Sequence, residues 1–218
     1  MKILQIHNLY QYRGGEDFLV QNEKELLVKN GIEVIQYQRD SQEFEDFTFA
    51  KKLKSAKDLF GSEKTYNKLE AIIKKEKPDI CHIHNWIPLI SPSVFDVCKK
   101  NKIPMIQTLH NYRYLCPKIN FYRDGHICRD CVESGNYLPA VKHKCYRNSY
   151  VQSTLLSKLL IDNIETIKKE ISFFICPSNF VKCEFEKNGF PSSKLITKPN
   201  FLADDPGIGE NFENYFLF

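Results

Sequence analysis

No apolar run in this 218-residue chain approaches the ~20 residues that a helix needs to cross a bilayer. The first residues, MKILQIHNLY, do not supply a secretory apolar region either, because Gln5 and His7 interrupt them. Charge of one sign is scarce: 31 Lys and Arg against 27 Asp and Glu leave +4, which does not point to nucleic acid. No internal repeat appears, and no low-complexity tract beyond one enrichment in lysine. An apolar content of 42% with 13% aromatics excludes a disordered or fibrous chain. Two phosphate-binding signatures are missing, since there is no G-x-G-x-x-G and no glycine followed by Lys-Ser/Thr. The expectation is a soluble, cytoplasmic protein with one well-buried domain.

What is present is an alternation of strand-like and helix-like segments. KILQIHN (2–8) reads as a strand, and GGEDFLVQNEKELLVKNG as a helix. In that helix Leu19, Val20, Leu26 and Leu27 recur at helical spacing, and Asn30-Gly31 ends it. IEVIQYQ is a second strand. Strand, glycine turn, helix and strand make a βαβ unit, so the fold class is α/β: a Rossmann-like parallel sheet with helices on both faces. An acidic patch (Asp40, Glu43, Glu45, Asp46) and a lysine-rich stretch from Lys51 to Lys77 follow, the latter with Leu69, Ile72 and Ile73 on one helical face. PDICHIH is a third strand, SPSVFDVCKKN a helix and IPMIQTLH a fourth strand. After residues 112–149, which lose all periodicity, come a helix near Ser153–Glu170, the strand SFFICPS, the helix NFVKCEFEKNG and a last strand, KLITKPN. Asp205, Pro206, Gly207 and Gly209 read as a linker, and residues 201–218 as an interdomain link with the start of a second domain missing from the polypeptide.

Three of the strands end on the same pair, His7-Asn8, His84-Asn85 and His110-Asn111. Ligands of parallel α/β sheets bind beyond the carboxyl ends of the strands. Imidazole and amide groups there suit a polyhydroxylated ligand. Alternatively, each pair only tips its strand and bonds nearby backbone. A catalytic metal is not expected, since His82 lies deeper in its strand, under a covering helix, and no carboxylate sits beside any of the three tips. Gly14-Gly15, opening the first helix, would let backbone amides approach an anion; a plain turn is the alternative.

Eight cysteines in a reducing compartment do not read as disulfides. Cys81, Cys98, Cys176 and Cys183 are expected as small core residues. Cys116, the Cys128-x-x-Cys131 knuckle and Cys145 match a closed structural zinc site, with His126 and His143 as reserve ligands. Unliganded thiols or a redox pair at 128 and 131 are the alternatives. In the lysine-rich stretch, Leu53, Leu59 and Phe60 among the lysines would suit peripheral contact with an anionic membrane surface, a solvated helix face being the simpler reading.

Together, HNLYQYRGGED, HIHNWIPLISPSV, TLHNYRYLCP, FYRDGHICRDC and KPNF resemble the N-terminal half of the family 4 retaining glycosyltransferases, in a bacterial branch that builds surface polysaccharides. The resemblance covers most of residues 1–201. It implies a GT-B architecture, here a single Rossmann-like N-terminal domain (1–200) with a cysteine-rich insertion (112–149). It implies a nucleotide-sugar donor and a sugar or lipid-linked saccharide acceptor. Gly14 and Gly15 would approach the donor diphosphate, and His110 would be the catalytic histidine near the reacting carbon. His84 and Asn111 would line the acceptor side, joined there by the other strand-tip residues His7, Asn8 and Asn85. The family's paired glutamates and diphosphate clamp belong to the C-terminal domain, so this chain alone is expected to be inactive. A non-catalytic subunit of a split transferase and a metal-dependent hydrolase are the competing functions.

Overall fold

The computed structural model describes residues 1–44, 55–202 and 207. Glu45, Asp46, Lys51, Lys52, Leu53, Lys54 and the expected linker, Gly207 apart, lie outside the described residues. Six parallel strands form one sheet in the order β2-β1-β3-β4-β7-β8. They are β1 (Lys2–Leu9), β2 (Glu33–Asp40), β3 (Ile80–Asn85), β4 (Met105–Thr108), β7 (Ile171–Cys176) and β8 (Leu195–Thr197). Between β4 and β7 the insertion holds a two-stranded hairpin, β5 (Tyr122–Arg123) and β6 (His126–Ile127). Asp124 and Gly125 join its strands, both at positive φ (51° and 82°), as a two-residue turn between right-twisted strands requires.

The helices are α1 (Gly15–Lys29), α2 (Glu63–Glu76), α3 (Ser93–Lys100), α4 (Asp130–Glu133), α5 (Leu138–Lys142), α6 (Tyr150–Glu170) and α7 (Asn179–Lys187). Serine caps three of them: the hydroxyls of Ser62, Ser149 and Ser178 accept from the amides of Thr65, Gln152 and Val181, satisfying donors that a helix start leaves open.

Side-chain alternation gives the two faces of the sheet different chemistry. Leu4, Ile6, Cys81 and Ile83 point to one side and join the main core with Leu69 and Ile73 of α2 and Val94, Val97 and Cys98 of α3. The neighbouring Cys98 thiol and burial raise the Cys81 thiol well above its ordinary value. Gln5, His7, His82 and His84 point to the other side, under α1, and all are buried. Here the structure corrects the sequence reading. The residues that α1 buries are Asp17, Val20 and Glu23, while Leu26 is exposed. A layer of imidazoles needs hydrogen-bonding partners rather than leucine.

Burial also bears on three smaller points. Cys183 is exposed, not a core residue. Leu59 and Phe60, half-buried, pack against the core. Lys64, Lys68, Lys74 and Lys75 lie exposed along α2, as a solvated face does. Among the described residues no helix is long and apolar enough to cross a membrane.

Candidate active site

The strand order places the switch point between β1 and β3, whose connections leave in opposite directions, and a crevice opens at their carboxyl ends. The β1/β3 register slips between Ile6 and His7, so that His7 pairs with Asn85. The three strand-end histidines meet there. The rings of His7 and His84 lie 6.2 Å apart, edge to face. His84 and His110 stack at 5.2 Å, with His84 Nδ1 2.9 Å from His110 Nε2.

Contrary to the expectation, carboxylates do stand beside these histidines, and α1 supplies them. Glu23 Oε2 lies 3.2 Å from His82 Nδ1 and 3.1 Å from His84 Nε2. Its other oxygen takes a 2.8 Å ion pair from Lys198. Although burial opposes ionisation, the two imidazoles and their bonds hold the Glu23 carboxyl far below the usual carboxylate range. Burial pushes His84 and His7 below the ordinary imidazole value and takes His110 down to about 3.

These facts set the proton order along the chain of rings. Ionised Glu23 can only accept, so His82 Nδ1–H and His84 Nε2–H donate to it. Neutral His84 then has a bare Nδ1, which accepts from His110 Nε2–H. That leaves His110 Nδ1 as an acceptor at the cleft. Thr108 Oγ1, 2.8 Å from His82 Nε2, closes the other end of the series.

A second network surrounds His7. Its Nε2–H donates to Asp17 Oδ1 at 2.8 Å, and its Nδ1 is buried without a partner, 3.9 Å from Glu16 Oε1. Tyr10 donates its hydroxyl to Glu16 at 2.8 Å and accepts from the Asn111 amide at 3.3 Å. Burial raises the Glu16 carboxyl to about 7 against the bonds that stabilise its ionised form. Glu16, His84, Asn85, His110, Asn111 and Arg113 line one hollow, with Trp86 and Tyr114 among its other walls.

The strand-tip asparagines do not share one role. Asn8 is fully buried; its amide donates to Leu9 and Ser41 and its carbonyl accepts from Leu89 N–H. Asn85 likewise bonds the backbone of Asn8 and Ile87. Both pin the loops, and both have their bonds occupied within the chain. His7, also fully buried, stands behind the cleft. His110 and Asn111 are the partly exposed members of the set. The Gly14 amide is likewise engaged, donating to Asp17 Oδ2 at 2.9 Å. The open first-turn amides of α1 therefore begin at Gly15. A Cβ at either glycine would meet nothing within 4 Å.

Among the described residues, Glu23, His82 and His84 form the set whose donor atoms lie within 4.8 Å of one another. Both imidazole nitrogens lie at hydrogen-bond distance, 3.1–3.2 Å, from Glu23 Oε2, and Lys198 already pairs with the other carboxylate oxygen. A cation would have to displace two imidazole protons and an ammonium. The four insertion cysteines surround a different hollow, which Cys116, Cys128, Cys131 and Cys145 all line. Burial and the charges of Cys116, Cys145 and Cys128 push the Cys131 thiol up to about 12. His143 borders the same hollow; His126, out on β6, is exposed.

Comparison with known proteins gives this geometry a family. The Staphylococcus aureus MnaA–UDP structure is 14% identical, with a TM-score of 0.49, over 91% of this chain and 44% of its own. Anabaena Alr3699/HepE in complex with UDP and glucose is 12% identical with a TM-score of 0.50, over 93% of this chain and 45% of its own. The UDP-N-acetylglucosamine 2-epimerase of Rickettsia bellii is 12% identical with a TM-score of 0.47, over 92% and 45%. The chain thus spans less than half the length of these proteins. No curated protein matches its sequence. Glycosyltransferase Family 4 matches residues 14–205, and with a Rossmann-like sheet beneath that match the chain belongs to this family.

Proposed function

We propose that this chain is the acceptor-binding half of a retaining glycosyltransferase. It would move a sugar from a nucleotide-sugar to a glycan or lipid-linked glycan in cytoplasmic steps of surface-polysaccharide synthesis. The observation that carries the reading is the His84–His110 contact of 2.9 Å at the β1/β3 switch point. It presents a neutral acceptor nitrogen to the cleft of a family 4 chain. Glycosyl transfer builds positive charge on the reacting sugar. A neutral imidazole tolerates that charge and can hold a sugar hydroxyl, whereas an imidazolium would oppose it. The complex of Alr3699/HepE with UDP and glucose supports a nucleotide-sugar as donor.

In this reading, first-turn amides of α1 from Gly15 onward face the donor diphosphate, and Asn111 with His84 lines the acceptor side. The remaining diphosphate contacts come from a second Rossmann-like domain across the cleft. Leaving-group stabilisation is usually the largest catalytic contribution, so residues 1–218 alone are expected to transfer little. A structural zinc holding the insertion would take Cys116, Cys128, Cys131 and Cys145 as its ligands, all four of which line one hollow.

The test is nucleotide-sugar turnover by the protein carrying both domains, with His110→Ala beside it. A fall in kcat of roughly 10²-fold or more is expected, the scale of a lost polar catalytic group. Turnover unchanged by His110→Ala would remove this histidine from the reaction.

A further inference from the structure

Glu16 is the acidic residue that lines the His110 hollow, and the transferase reading gives it no work. It follows Gly15 in the first turn of α1, with its side chain only 11% exposed. The hollow it borders has a volume of about 30 Å³. That is room for a hydroxyl group or a water rather than a sugar ring. A sugar lying in the crevice above would therefore send one hydroxyl in among Glu16, His110, Asn111 and Arg113.

Each protonation state of the Glu16 carboxyl finds partners in place. Ionised, it accepts the Tyr10 hydroxyl on Oε2 at 2.8 Å, and the Asn111 amide and the Arg113 charge favour that state. Protonated, it turns from acceptor into donor, and a bare acceptor stands behind it. His7 gives its Nε2–H to Asp17, which leaves a lone pair on Nδ1. That nitrogen is buried without a partner, 3.9 Å from Glu16 Oε1. A buried acceptor lacking a donor is costly. A proton on Oε1, with a small closing of the gap, would satisfy it.

Burial raises the Glu16 carboxyl to about 7, with the charge of Asp17 adding to it and Tyr10, Asn111 and Arg113 opposing. Both states are thus populated near neutrality, as a proton carrier needs. His7 and His110 are held below the ordinary imidazole value and stay neutral there. Position agrees with this chemistry. Retention of configuration brings the incoming hydroxyl to the face that the diphosphate leaves. The amides assigned to the diphosphate begin at Gly15, so Glu16 stands on that same side of the cleft.

We infer that Glu16 is a catalytic base, taking the proton of the acceptor hydroxyl that enters the His110 hollow. The acceptor O–H bond breaks and its proton passes to Glu16 Oε1, while the oxygen bonds the reacting carbon of the donor sugar. The bond from that carbon to the donor phosphate breaks, and its electron pair leaves on the nucleoside diphosphate. The proton on Glu16 returns to solvent when the products depart. The inference rests on the transferase reading and adds a second catalytic group to His110.

The test is nucleotide release by the protein carrying both domains from UDP-glucose, UDP-N-acetylglucosamine and GDP-mannose, with water in place of the acceptor hydroxyl. For whichever donor is used, wild-type kcat/KM should fall with acidity below a midpoint near 7. Glu16→Gln keeps the size and polarity of the side chain but cannot take the proton. It should lower kcat by about 10²-fold or more, leave the donor KM within about threefold, and abolish that acid limb. Glu16→Asp should retain the limb with a reduced rate, and it replaces Glu16→Gln should thermal melting show the latter unfolded. A Glu16→Gln protein with undiminished kcat, or one that keeps the wild-type acid limb, overturns the inference and passes the proton to the departing diphosphate. A loss carried by KM alone overturns it too, reducing Glu16 to a binding contact. Either result leaves the transferase reading standing. If wild type releases nucleotide from none of the three donors, that reading falls and the inference with it.

Discussion

Glu23 Oε2 lies within 3.2 Å of His82 Nδ1 and 3.1 Å of His84 Nε2, joining one carboxylate of α1 to two imidazoles of β3. Through this pair of contacts the helix fixes the tautomer of His84, and through His84 that of His110. Glu23→Ala removes the acceptor for two buried N–H groups and the counter-charge of Lys198. A loss of about 3–5 kcal/mol is expected in urea denaturation, with Glu23→Gln losing less. A cost under about 1 kcal/mol for Glu23→Ala would contradict the network.

The acid-base behaviour of the site follows from opposite shifts. His110 is lowered from its ordinary 6.5 to about 3, and His84 is lowered as well. Below pH 6.5 the unfolded chain therefore takes up protons that the folded chain refuses. The stability linked to these histidines is full above 6.5 and is lost as the pH falls towards 3. Glu16 is raised from 4.5 to about 7 and has the reverse sign: its contribution is full below 4.5 and is lost as the pH rises through 7. Glu16→Gln should accordingly gain on the wild type between pH 4 and pH 8, by up to roughly 3 kcal/mol. Denaturation curves at pH 4, 6 and 8 measure this, and a constant difference between the two proteins would refute the assigned shift.

Asn8→Ala separates the loop-pinning role from ligand contact. Three hydrogen bonds of a fully buried amide are lost, and a destabilisation of about 1–3 kcal/mol is expected. Saccharide affinity of the folded fraction should stay within about twofold, whereas Asn111→Ala, on the rim, should lower it. Equal loss of affinity in both variants would return Asn8 to the binding surface.

The insertion yields a prediction about metal. Elemental analysis of protein purified without chelator should find a single zinc ion per chain, and Cys131→Ser should lose it with a fall in Tm of roughly 5–10 °C. Zinc-free protein that melts as sharply as its Cys131→Ser variant would show that the four cysteines are plain thiols.

The sheet was legible because its signals are local. Alternation in KILQIHN and ICHIHN marks the strands, and glycine past the helix ends marks the stops. The meeting of the three histidines could be anticipated because parallel strands put like ends together. The inner face of α1 was hidden for a physical reason. Asp17 and Glu23 look like solvent-facing residues until the histidines opposite them are known to be buried. Their spacing of three and six with Val20, read against His82 and His84 on one strand face, was the available clue. Lys198 arrives from the far end of the chain to pair with Glu23, 175 residues away, and no local pattern marks it.

The most direct measurement is the ¹⁵N spectrum of the histidine side chains, followed against pH and against added methyl glycosides. The account predicts that His110 stays neutral down to pH 5 with Nδ1 unprotonated, and that its ring signals, with those of His84, shift on sugar binding. A His110 that titrates near its ordinary 6.5, with ring signals unmoved by any saccharide, would contradict the account at its centre.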